Sequence, residues 1–232
     1  MKSQPTFLKI LNTLSVLMVL TAIYLAVFWA PTEVTMGDVQ RVFYFHVSVG
    51  WVAAIGFLLA VIAGIAYLSK GNSKWDIIGV AGVEVGLVFA FLNIVTGSIW
   101  ARPVWNTWWT WDPRLITATI SELIYIAYMM LRQGIDDPDR RARFGAIYAI
   151  LGFVSVPLSF FSIRIWRTIH PVVVASGDAA AKGTFNMSPD MKLAFFFSLA
   201  TFTVVGATLL WHRIRIGNLS QKVEQLKMKM YE

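Results

Sequence analysis

Three features of this chain could do chemistry: one tryptophan run and two histidines. The run, Trp105-Asn106-Thr107-Trp108-Trp109-Thr110-Trp111-Asp112, holds four of the ten tryptophans. Tryptophan favours membrane–water interfaces because its ring is amphipathic. An aromatic belt, however, asks for only one or two at each helix end. Four in one loop, closed by a carboxylate, read as a flat stacking platform for a large planar ligand.

His46 lies in Phe43-Tyr44-Phe45-His46-Val47, at one end of an apolar span. His170 closes Arg164-Ile165-Trp166-Arg167-Thr168-Ile169-His170, just past the end of another. Taken singly, each is more often a hydrogen-bonded interfacial residue than a ligand. Neutral imidazole is also a common iron ligand. Two on one face, flanking an aromatic platform, match what a planar metalloporphyrin needs: one nitrogen above and one below. The third histidine, His212, reads as an interfacial residue beside helix-end carbonyls.

Arg102, Arg114, Arg164 and Arg167 lie near these elements. A guanidinium fork matches carboxylates such as porphyrin propionates; the alternatives are lipid headgroups or a pair with Asp112. Asp112 precedes Pro113, a good helix start with Asp as N-cap and Pro at the first helical position. It could equally orient the platform or a ligand histidine, and the two roles are compatible.

The elements that position these residues are membrane helices. Of 232 residues, 57% are hydrophobic and only 14% charged, against roughly 25% charged in a soluble domain. A span takes ~20 residues, so the sequence predicts an all-α, polytopic, single membrane domain over 1–232. The expected spans are about 7–29, 42–68, 76–100, 114–131, 144–163 and 191–211, with a tryptophan-rich loop at about 100–114. The first run is too long for a signal core and reads as a retained helix. There is no cysteine, which excludes disulfides, thiolate metal sites and covalent haem attachment to this chain.

With six spans both termini share a side. That side carries 13 of the 20 Lys and Arg residues, Lys2 and Lys70 among them, and the other carries seven, including Lys182. The richer side is expected to be cytoplasmic, which puts both termini inside and the tryptophan run and both histidines outside. The net charge of +7 is scattered over helix ends, a topology signal rather than a nucleic-acid surface.

Glu84 and Glu122 fall inside spans, where an ionisable residue marks a functional hypothesis. Glu84 is either protonated or paired, within the bundle or with a second subunit. Glu122 lies about two turns below the outer end of its helix. Pro157 should kink the fifth span. The tail from Asn218 to Glu232 is polar and helix-prone, with Val223 and Leu226 on one face.

The tryptophan run resembles the WGxWWxWD signature of the haem-handling protein superfamily of cytochrome c maturation. Length, six spans and a histidine on each side of the motif resemble its smallest branch, over about Gln40 to Trp211. The resemblance implies non-covalent haem b with His46 and His170 as axial ligands. It implies a haem-presenting surface of Trp105, Trp108, Trp109, Trp111 and Asp112 in a bacterial inner membrane. It implies delivery to a periplasmic haem chaperone like CcmE, beside ABC-type subunits like CcmA and CcmB and a small CcmD-like one. Asn106 departs from the signature, which has glycine there, and asparagine also tolerates left-handed angles.

Three other readings compete. A haem lyase or cytochrome c synthetase component shares the signature but carries more spans and a further histidine pair. A cytochrome b-like subunit would stack its histidine pairs across the bilayer. A channel or permease leaves the tryptophans unexplained. The reading preferred from sequence is a haem-binding and delivery protein that is not an enzyme.

Overall fold

Punctuation residues set where each helix stops. The computed structural model describes residues 4–171 and 187–231; Lys2 and Lys182 lie outside them. Helix α1 runs Thr6–Tyr24 and continues as a π-turn over Leu25–Trp29. Helix α2, Arg41–Lys70, ends at Gly71, whose φ of 61° is the left-handed cap that glycine adopts without penalty. Asn72 caps α3, Ser73–Trp105, by accepting the Lys74 N–H. Asp112 and Asp137 cap α4, Pro113–Gln133, and α5, Pro138–Gly152, each with proline at the start. Helix α6 is Ser155–Ile165 and α7 is Pro189–Tyr231.

Among the described residues, six helical stretches are long and apolar enough to span a membrane: Thr6–Trp29, Asp38–Lys70, Ser73–Trp105, Pro113–Gln133, Pro138–Ile165 and Pro189–Met230. The expected count holds, with two shifts. Helix α3 continues to Trp105 through Pro103, so the tryptophan loop is shorter than 100–114 and begins at Asn106. The fifth span breaks between α5 and α6 at Phe153 and Val154. Pro157 has no N–H for the carbonyl four residues back, and that carbonyl belongs to Phe153.

Helices α2 and α3 form a close antiparallel pair. A Cβ on Gly56 would fall 2.7 Å from the Gly82 carbonyl oxygen and 2.9 Å from Gly86 Cα. In lipid, where helices gain little from hydrophobic burial, small residues let backbones approach and dispersion contacts accumulate. Beside this seam Phe57 stacks on Tyr125 of α4, centroids 3.7 Å apart. Helix α1 is held to α7 by polar contacts, Ser15 to Thr208 at 3.1 Å and His212 Nε2 to Asn12 at 2.8 Å.

Charged residues close the end of the bundle that carries Lys70 and Ser73. Arg132 donates to both Asp76 carboxylate oxygens, at 2.6 and 2.8 Å. Glu84 pairs with Arg213 of α7, so it is matched within the chain. Glu122 is buried beside Ser121. These contacts leave the other end, where α2 starts, α3 stops, α4 starts and α6 stops, free to open into a cavity.

Candidate functional site

Four helix ends converge on one cavity of about 470 Å³, lined by His46, His170, Trp105, Trp109 and Arg114 among mainly apolar side chains. Ligand pockets commonly span about 300–1,000 Å³. The His46 and His170 ring centroids are 6.5 Å apart, tilted by 38°.

Both imidazoles are held by one nitrogen. His46 Nδ1 lies 3.0 Å from the Thr96 hydroxyl and 3.3 Å from the Asn93 side-chain amide, both on α3. Asn93 donates to the His46 carbonyl at 2.8 Å. His170 Nδ1 lies 3.1 Å from the Pro171 carbonyl, which can only accept, so Nδ1 carries the proton. Among the described residues neither Nε2 has a partner. Second-contact bonds of this kind fix the tautomer and aim of ligand histidines. His170, just past the fifth span, is lowered from 6.5 to about 4, by burial first and then by the Arg114 charge. It is therefore neutral at ordinary pH.

Asp112 ties the tryptophan loop to the His170 segment. Its carboxylate accepts the Thr168 hydroxyl, 2.7 Å from each oxygen, and the Ile169 N–H at 2.9 Å. It also accepts the Arg114 N–H at 2.9 Å as the α4 cap. The cap expected from sequence is present, and the same carboxylate also holds the segment that leads to His170. Thr168 in turn accepts the His170 N–H at 3.0 Å.

The four tryptophans do not make one flat platform. Trp109 and Trp111 meet edge-on at 87°. Trp105, at the end of α3, turns inward against Trp100 at 89°. Trp105 and Trp109 wall the cavity, whereas Trp108 and Trp111 are 59% and 82% exposed. The split follows from Asn106, the one non-glycine residue with positive φ among those described. Its left-handed turn reverses the chain and puts successive rings on different sides. The expectation that asparagine supports this turn holds.

The arginines also divide. Arg114 alone among the four lines the cavity, where it donates to the Ser159 hydroxyl and carbonyl at 2.6 and 2.8 Å. Arg102 donates to Asn106 at 2.5 Å and braces the loop turn. Arg164 and Arg167 are exposed and outside the cavity wall. Sequence reasoning missed Asn93, Thr96, Gly97, Trp100, Ser159 and Thr168. Asn93 and Thr96 had a signal, two polar residues three apart in an apolar span; Thr168 had none.

A metal–imidazole bond is about 2 Å and a ring centre lies about 1 Å behind its nitrogen, so opposed ligands place centres about 6 Å apart. The observed separation fits two imidazoles sharing one metal. Among the described residues no group of three His, Cys, Asp or Glu could hold a bare ion. Two imidazoles facing one mainly apolar cavity could hold a metal carried in a flat, apolar group.

Comparison with known proteins places the chain in a family. The family model for Heme exporter protein C, CcmC, matches residues 1–229. The chain is 29% identical over 199 residues to Heme exporter protein C of Bradyrhizobium diazoefficiens, covering 86% of this chain and 74% of that one. It is 30% identical over 189 residues to Heme exporter protein C of Escherichia coli K12, covering 81% and 74%. To the Rhodobacter capsulatus protein of the same name it is 29% identical over 153 residues, 66% and 63% of the two chains.

Proposed function

The chain belongs to the Heme exporter protein C family, and from that premise we propose that it handles haem for cytochrome c maturation, holding it non-covalently as haem b and passing it on. The observation that carries this is the His46–His170 pair, 6.5 Å apart across one cavity with each Nδ1 tied back. Haem as cargo supplies an iron with two axial positions and a planar apolar ring. This chain's residues supply the rest.

His46 and His170 are neutral donors through Nε2, positioned by Thr96, Asn93, Pro171 and the Asp112–Thr168 contact. Trp105 and Trp109 cover the ring and exclude water. Arg114 is the guanidinium placed to receive a propionate; Arg102, Arg164 and Arg167 are rim residues. Trp108 and Trp111, turned outward, form the surface to which a periplasmic CcmE-like chaperone docks. Neither histidine is backed by a carboxylate acceptor on Nδ1, which keeps the ligands modest in basicity and suits a site that must release. The chain acts without bond-making of its own, beside CcmA-, CcmB- and CcmD-like subunits. It lies in the inner membrane with the cavity on the periplasmic side and the termini in the cytoplasm.

A lyase of the larger type would need a second histidine pair, and His212 is bonded to Asn12 away from the cavity. The test is absorption spectroscopy of detergent-purified wild type, His46→Ala and His170→Ala. A b-type spectrum in wild type, weakened in each variant, is expected. Undiminished haem in both variants would overturn the ligand assignment.

A further inference from the structure

Helix α7 is far longer than a membrane requires. Its 43 residues span about 64 Å at 1.5 Å per residue, twice the ~30 Å of hydrocarbon. The surplus projects from the end opposite the cavity. Near the bundle's edge Gln221 donates to Ser73 of α3 at 2.8 Å. From Lys222 to Met230 every side chain is exposed. A segment this short would be marginal as a separate helix; here it extends one the span has already nucleated.

An ordered apolar seam starts beside the bundle and runs onto the projecting part. Ile216, Leu219, Val223, Leu226 and Met230 recur at alternating intervals of three and four, the a/d spacing of a coiled coil. They are 59%, 48%, 42%, 62% and 84% exposed. In that register the flanking e and g positions are Ser220, Lys222, Lys227 and Lys229. The seam is thus bordered by three lysines, of which Lys227 pairs with Glu224 on the same helix at 3.1 Å, so the border stays net positive.

We propose that this seam docks an α-helix of another polypeptide, with apolar residues at its own a/d positions and Glu or Asp flanking them. The charges select among occupants. A second copy would oppose Lys222 to Lys227, and like charges across e/g positions repel. A bilayer surface would require the helix to fold over into the interface plane, whereas α7 continues unbroken from its span to Tyr231. An acidic helix satisfies both the seam and its border. Two heptads bind weakly alone, and a partner held in the same membrane complex gains effective concentration.

Two experiments on the full chain in lipid nanodiscs test this. First, fluorescence anisotropy is read with a labelled synthetic three-heptad helix, Leu at a/d and Glu at e/g, and with its Lys-flanked counterpart. Saturable binding of the Glu peptide alone is expected, weakened by salt and by at least about tenfold in a Val223→Glu/Leu226→Glu variant. Equal binding of both peptides, or none, overturns the proposal. Second, a photo-crosslinking amino acid is placed at Leu226, or at Gln225 on the adjoining face, in cells. The expected adduct forms from position 226 only and maps to a helical segment of another protein with an acidic-flanked heptad. An adduct with a second copy or with lipid, or no adduct, overturns it.

Discussion

Asp112 and Thr168 stand 56 residues apart in sequence and meet at 2.7 Å, the Thr168 hydroxyl within reach of both carboxylate oxygens. This contact joins the loop that carries the tryptophans to the segment that carries His170. A hydrogen bond to a charged acceptor contributes roughly 1.5–3 kcal/mol. Thr168→Val should therefore lower haem affinity by about tenfold or more, since His170 loses its support, while Thr168→Ser restores it. Amide hydrogen exchange in the ligand-free protein checks the same point: Ile169, whose N–H rests on Asp112, should exchange faster in the valine variant.

Asp112 itself separates capping from latching. Asparagine caps a helix nearly as well as aspartate. Asp112→Asn is thus expected to keep the cap but weaken the latch, losing haem and the latch's share of stability. Asp112→Ala should lose haem and about 1 kcal/mol more stability than the asparagine variant, because the cap goes as well. Unfolding curves and haem spectra of the two variants give the comparison, and equal stability loss in both would contradict the division.

Gly97 faces His46 with no room to spare. A Cβ there would lie 3.0 Å from the His46 Cε1, so Gly97→Ala should displace the ring by a few tenths of an ångström and shift the absorption bands of bound haem. Gly97→Val should largely abolish the spectrum. An unchanged spectrum in the valine variant would place the ligand elsewhere.

The tryptophans should fall into two classes. Trp105→Ala and Trp109→Ala open the cavity wall and are expected to reduce retained haem about tenfold, some 1.4 kcal/mol. Trp108→Ala and Trp111→Ala leave the wall intact and should retain haem yet fail in transfer to a chaperone. Haem content after purification, followed by a transfer assay, distinguishes them.

Acid should act through His170. Its imidazole takes a proton near 6.5 when unfolded and only near 4 when folded. Between those values the unfolded chain binds the extra proton, so stability falls as pH drops from 6.5 toward 4 and this contribution levels off below. The ligand-free protein should therefore lose Tm across that window, and His170→Gln should lose less. Haem retention should stay level from neutral pH until it nears 4.

Sequence alone determined what local forces decide. Hydropathy specified six spans because a lipid-facing helix must be apolar along its length. Asp112-Pro113 marked a helix start and Asn106 was compatible with a left-handed turn, because caps and such turns depend on a few adjacent residues; the start at Asp137-Pro138 came from the structure. The even number of spans grouped His46, His170 and the tryptophan run at one end without any knowledge of packing. Only the tertiary structure decided which members of that group meet. The 6.5 Å histidine pair, the inward Trp105 and Trp109 against the outward Trp108 and Trp111, and Arg114 as the one cavity-lining arginine of four all depend on how helices rotate about their axes. That rotation is set by long-range contacts such as Gly56 against Gly82 and Glu84 with Arg213. The Asp112–Thr168 bond is the clearest case: nothing near either residue in sequence announces it, because its partners are joined only when the ends of α4 and α6 pack side by side.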